Sequence, residues 1–160
     1  MSDPQNQPAF SIEKVYVKDI SLEIPNAPQA FLENEAPQVD IQLHHQSEAI
    51  QPGYYQTVVT VTVTAKVQDR TLFLVEVGQA GIFVARNIPD TDMETVLGIA
   101  CPNILFPFVR ETVADIVQRA GFPPVMLAPV NFEALYQAQK QAAQQPSGEQ
   151  AASPIIQTAH

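Results

Sequence analysis

The chain has 160 residues, 46% of them apolar and only 16% charged, and its 17 acids against 8 bases give a formal net charge of −9. That length suits one domain with a real core, whereas eight scattered cations exclude a phosphate-neutralising face for nucleic acid, and an anionic membrane surface would repel so acidic a chain. One cysteine, Cys101, excludes an internal disulfide and fits a reducing compartment, and neither a bilayer-spanning apolar run nor a signal peptide is expected.

Pro4 and Pro8 mark residues 1–9 as a loose arm. From Phe10 to Ile24 the residues alternate, with Phe10, Ile12, Lys14, Tyr16, Lys18, Ile20, Leu22 and Ile24 on a mostly apolar even side and Ser11, Glu13, Val15, Val17, Asp19, Ser21 and Glu23 on the odd. That period of two predicts a half-buried strand. Pro25, Pro28 and Pro37 punctuate an irregular crossing segment that carries Phe31 and Leu32, after which Val39, Ile41 and Leu43 alternate with Asp40, Gln42 and His44 as a short second strand. Pro52 and Gly53 predict a turn, and the β-branched run from Tyr54 to Val67 a third strand. Gln68, Asp69 and Arg70 link it tightly to a fourth strand, Thr71 to Val77, so the pair reads as an antiparallel hairpin.

After Pro89 the period becomes helical. Thr91 and Glu94 have capping-box spacing, with Asp90 and Asp92 placed where a helix dipole favours anions. Pro102 is expected to break or kink this helix. Asn103 to Ala120 then resumes at helical spacing, with Gly121 as its stop. Pro123, Pro124 and Pro129 predict an extended linker, and Asn131 a cap for a last helix from Phe132 to about residue 145. The segment 146–160 is of low complexity and reads as a disordered tail. Residues 10–145 are thus expected to form an α+β domain, a four-stranded antiparallel sheet followed by C-terminal helices packed on one side.

Chemistry-bearing motifs are scarce. The run GQAG (78–81) lacks dinucleotide-fingerprint spacing and reads as a bend ending the fourth strand. His44 and His45, adjacent on a strand, point to opposite faces and cannot chelate one ion together. Asp90, Asp92 and Glu94 lack the glycine and later glutamate of a calcium loop. Cys101, in an apolar helix with no nearby base, reads as an inert thiol. No metal, no cofactor and no catalytic group is expected.

Two surface features remain. Asp19, Ser21 and Glu23 share the polar face of the first strand, and Leu74 and Glu76 share a face of the fourth. If those faces coincide, an acidic patch around one leucine occupies the open side of the sheet, either as a docking site or as a solvated surface. Phe31, Val39, Ile41 and Leu43 flank the proline-rich crossing, either as core or as a groove for extended apolar peptide.

The block GIACPNILFPFVRETVADIVQRAGFPPVMLAPVNFEALY (98–136), with VYVKDISLEIPNAP (15–28) and VEVGQAGIF (75–83) in the same order, resembles the SecB family of bacterial protein-export chaperones. The resemblance implies a homotetramer, a dimer of dimers, that is cytoplasmic and non-enzymatic. It implies binding of unfolded secretory precursors without ATP and their delivery to the motor ATPase SecA. It places docking of that motor's zinc-bearing C-terminal segment on Asp19, Glu23, Leu74 and Glu76, and the client groove near Phe31, Val39, Ile41 and Leu43. Where family members can carry a tryptophan in the crossing segment, this chain has Glu35 and no tryptophan at all.

Overall fold

The structure is a computed structural model describing residues 3–144, so the expected tail lies outside the described residues. Strands β1 (Ala9–Glu23), β2 (Gln38–Gln51), β3 (Tyr54–Val67) and β4 (Arg70–Arg86) form one antiparallel sheet in the order β1-β4-β3-β2. Helix α1 (Asp90–Thr95), a π-helical turn (Val96–Ala100) and α2 (Cys101–Arg119) follow without interruption, and α3 (Phe132–Gln144) ends the described chain. Helix α2 packs across β3 and β4. The core lies between them, with Val59, Val61, Val63, Val75, Val77 and Phe83 below and Leu105, Val109, Val113 and Val117 above, all fully buried. The α+β expectation of a sheet with helices on one side is met.

The alternation read in the first strand fails in its middle, and two β-bulges account for it. Register shifts between Ile12 and Lys14 and between Val17 and Asp19 leave Glu13 and Lys18 as the extra residues. A bulge flips the parity of all that follows. Phe10, Ile12, Val15, Val17, Ile20 and Leu22 therefore all face the helix side, each paired with an odd-numbered residue of β4. Lys14 and Tyr16, placed on the apolar side by simple alternation, are moved to the open face.

Two strands are longer than expected. β2 pairs with β3 from Gln38 opposite Lys66 to Gln51 opposite Tyr54, and this ladder carries it past the polar His44–Glu48 stretch. β4 does not end at GQAG. It runs through to Arg86, because β3 pairs with it from Arg70 to Val84 and β1 from Leu74 to Arg86, so backbone partners continue past the glycines. Gly81 has a packing reason: a Cβ there would lie 2.8 Å from the Phe83 ring and 2.9 Å from the Leu105 side chain, so its absence lets α2 settle onto the sheet.

The expected capping box does not form. Pro89 is the N-cap, its carbonyl accepts from the amides of Asp92 and Met93, and no side chain caps the helix. Thr91 lies inside the first turn, where Asp90 and Asp92 still meet the positive end of the dipole. Pro102 does not break the helix either. The amide of Cys101 reaches back five residues to the Val96 carbonyl, and the wider π turn absorbs the bond that proline cannot make. The result is one continuous helix, Asp90–Arg119, long and apolar enough by length and composition to cross a membrane. This corrects the expectation that no such stretch exists, although in the fold its stripe of Cys101, Leu105, Val109, Val113 and Val117 is buried against the sheet.

The remaining punctuation is as read. Gly121, at φ 93°, ends α2 in a Schellman motif: its amide donates to Gln118 and that of Phe122 to Val117. Asn131 Oδ1 accepts from the Ala134 amide at 3.0 Å and caps α3. Asn87, directly after β4, holds the N-terminal arm: its Nδ2 donates to the carbonyls of Gln5 and Gln7, at 2.9 and 3.0 Å.

Candidate protein-binding surfaces

The open sheet face collects the four residues of the acidic patch. Asp19 pairs with Gly78, Ser21 with Glu76, and Glu23 with Leu74, and directly paired residues of an antiparallel sheet project to the same side. Asp19 and Glu23 are exposed, whereas Leu74 and Glu76 are half-buried. Thr62 on β3 donates to Glu76 Oε2 at 3.0 Å and fixes that carboxylate. The described ion pairs are Glu33–Arg70 and Asp115–Arg119, so none involves these three carboxylates. The patch is thus a field of unneutralised negative charge around a leucine, a surface suited to a cationic partner with an apolar contact.

Further along this face, Tyr16 on β1 donates to Gln56 Oε1 on β3, and Gln56 donates to Glu48 on β2 at 2.9 Å. Small residues at Gly78 and Ala80 in the intervening strand leave room for that reach.

The crossing segment lies at one end of the helix side. A short 3-10 turn (Gln29–Leu32) leaves Phe31 48% and Leu32 77% exposed. Below Phe31 lies a cavity of about 510 Å³, whose apolar wall is Phe31, Val39, Leu72, Phe73, Phe122, Val125 and Met126. Phe31 stacks on Phe122 at 5.0 Å between ring centroids, and Phe122 leans on Phe73 at 4.9 Å, so aromatic rings form the floor. Glu33, Glu35 and Pro37 stand at its edge.

Of the four groove residues expected from sequence, only Phe31 and Val39 line this cavity. Ile41 and Leu43 are 1% and 7% exposed and belong to the hydrophobic core, because the strand alternation that makes them neighbours of Val39 also carries them under the helices. The wall contributed by Leu72, Phe73 and Phe122–Met126 was missed in the sequence. Its one signal is the apolar run Val125–Leu127 set between prolines, read there only as linker.

The remaining candidates behave as inert structure. Cys101 is fully buried, and burial pushes its thiol up to about 11 despite a hydrogen bond with Thr57. His44 projects from the open face, while His45 turns to the helix side with its ring edge-on to Phe132 at 5.9 Å. Burial, and secondarily the adjacent His44, hold His45 below the usual histidine range. Among the described residues no three or more His, Cys, Asp or Glu converge to hold a metal ion.

An acidic open sheet face and an aromatic-floored groove are the two candidate protein-binding surfaces of this fold. The family described as Preprotein translocase subunit SecB matches residues 3–143. The chain is 64% identical over 141 residues to a protein-export protein SecB of Nitrosospira multiformis, covering 88% of this chain and 89% of that one. It is 61% identical to that of Chromobacterium violaceum, over 88% and 94% of the two chains, and 55% identical to that of Methylibium petroleiphilum, over 99% and 100%. The chain belongs to the SecB family of protein-export chaperones, which are not enzymes. Its fold is also that of a Mycobacterium tuberculosis SecB-like chaperone solved with a peptide from an antitoxin, at a TM-score of 0.63 and 14% identity over 76% of this chain and 90% of that one.

Proposed function

We propose that the chain works in the cytoplasm as an ATP-independent holder of unfolded secretory precursors. It takes their apolar segments into the groove beneath the crossing segment and presents them to the motor ATPase SecA. The observation that carries this reading is the open, aromatic-floored cavity beside exposed Phe31, Leu32 and Met126 (48%, 77% and 62%). An adaptable apolar surface suits clients that share exposed hydrophobic surface and little else. Phe31 and Val39 retain the groove role, while Ile41 and Leu43 support it from beneath.

Asp19, Glu23, Leu74 and Glu76 form the docking face for the motor's zinc-bearing C-terminal segment; the zinc is the motor's, and this chain needs neither metal nor nucleotide. The working form is a homotetramer, a dimer of dimers. Phe10, Ile12, Val17, Ile20 and Leu22 support this: they point to the helix side of an edge strand yet are 39–48% exposed, and Phe108 of α2 is 44% exposed. Such an apolar strip on an edge strand invites a second copy. Several linked grooves then act on one client and raise its effective affinity. Residues 1–9 and 146–160 flank the chaperone domain, 10–145, as an arm and a tail.

Pancreatic trypsin inhibitor provides a test, because reduction and carbamidomethylation leave it permanently unfolded while the disulfide-intact form stays native. The unfolded form is expected to co-elute with the protein in size-exclusion chromatography with light scattering, and the native form to elute alone. Equal capture of both, or of neither, contradicts the proposal.

A further inference from the structure

One tie of the crossing segment that roofs the groove is the carboxylate of Glu33. Its Oε1 accepts the backbone amides of Asn34 and Glu35, at 3.0 and 3.2 Å, and so holds the turn that follows Phe31 and Leu32. Its Oε2 accepts from Arg70 Nη2 at 2.6 Å. Arg70 opens β4 directly after the two-residue hairpin turn, so this pair joins the roof to the rigid sheet. A second tie lies alongside, where Asn26 Nδ2 donates to the Thr71 carbonyl at 2.8 Å. Besides these two polar ties the roof is held by buried Ala30 and by Phe31, which lies against Gly121 and stacks on Phe122, and both rings line the cavity itself.

The two partners differ in solvent access. The Glu33 side chain is only 15% exposed and the Arg70 side chain 60%, so the carboxylate is a fixed post and the arginine an exposed hook. A carboxylate that already accepts two amides keeps its place when the arginine leaves, but the turn then loses its bond to the sheet. Salt screens an exposed partner over roughly 8 Å at physiological ionic strength.

We propose that the Glu33–Arg70 pair is a latch that sets how firmly the roof closes on a bound client, making Arg70 a positioning residue for client retention. This rests on the groove reading above. With the latch made, the Phe31 wall is pre-organised and the client meets an ordered surface. With it broken, the roof must be ordered on each binding event, and retention shortens. Retention is thereby linked to ionic strength through a pair that need not touch the client.

The experiment follows dissociation of fluorescently labelled, reduced and carbamidomethylated trypsin inhibitor from the full-length protein by stopped flow, at low and high salt. Wild type is expected to release it faster as salt rises. Arg70→Glu, which sets two carboxylates against each other, is expected to raise the low-salt release rate on the order of threefold and to reverse the salt dependence, because salt screens the repulsion as it screens the pair. Arg70→Lys, which keeps the charge, should restore slow, salt-sensitive release, and Glu33→Gln, which keeps an acceptor for the two amides but carries no charge, should release fast with little dependence on salt. Amide hydrogen exchange across residues 29–37 should quicken in Arg70→Glu without client. Unchanged release in Arg70→Glu, or release that quickens equally in Arg70→Lys, overturns the latch. A separate arm uses Met126→Glu, which puts a charge into the cavity wall. If that variant binds the probe normally, the groove reading itself falls, and if it binds poorly while Arg70→Glu matches wild type, only the latch falls.

Discussion

Reversing two carboxylates of the open sheet face, D19K together with E76K, is expected to weaken binding of the motor's zinc-bearing C-terminal segment by about thirtyfold or more, while capture of an unfolded chain stays unchanged. One exposed ion pair is worth little, a factor of about two to five, but each reversal also replaces an attraction with a repulsion. Two such changes on one patch compound. The patch is vulnerable because no cation within the described fold pairs with Asp19, Glu23 or Glu76. Asp19 is exposed on the edge strand, so its reversal disturbs no packing. Glu76 accepts from Thr62, and E76Q, which keeps an oxygen for that hydroxyl, separates loss of charge from loss of the hydrogen bond. Isothermal titration of the motor segment at low and physiological salt is the check, and wild-type affinity should fall with salt far more steeply than that of the double variant. Equal affinity of wild type and variant would remove the acidic face from the mechanism.

Leu105→Ala carries the largest expected effect on stability, a loss of about 3 kcal/mol. Leu105 is fully buried where α2 crosses β4, with its side chain over Gly81 and beside the Phe83 ring. Truncation removes three carbons at a site that cannot collapse. Gly81 has no side chain to fill the gap, and its strand is held by ladders on both sides. Urea denaturation should show a lower midpoint with an unchanged slope, the mark of a weaker native state rather than a different unfolded one. Leu105→Met, nearly equal in volume, should cost under about 1.5 kcal/mol. A Leu105→Ala midpoint within error of wild type would mean that the helix does not pack on the sheet as described.

The legible features of the chain were those set by local chemistry. The β-branched run of β3, the turn at Pro52–Gly53, the stop at Gly121 and the cap at Asn131 depend on residues close in sequence, and each stands where it was read. What escaped depends on partners distant in sequence. The bulges at Glu13 and Lys18 arise only in the pairing of β1 with β4, and GQAG continues a strand only because ladders flank it on both sides. Pro102 sits in an unbroken helix because a π turn takes up the missing bond.

The two surfaces divide in the same way. Asp19 and Glu23 follow the second bulge and so share a parity that the bulge does not disturb, which is why the acidic face could be assembled from spacing. The groove joins the crossing segment to residues 121–126, some ninety positions apart, and no periodicity links them. Val39, Ile41 and Leu43 share one face of β2, yet only Val39 lies near enough to the strand's start to meet the cavity.

The central claim is that two surfaces, one acidic and one apolar, act independently on the motor and the client. The most direct measurement titrates the motor's zinc-bearing C-terminal segment into the protein already saturated with labelled, unfolded trypsin inhibitor, with client fluorescence anisotropy followed throughout. Undiminished anisotropy, with the same motor affinity and stoichiometry as in the client-free protein, is the expected result. Displacement of the client by the segment alone, or loss of motor binding once the grooves are filled, would contradict it.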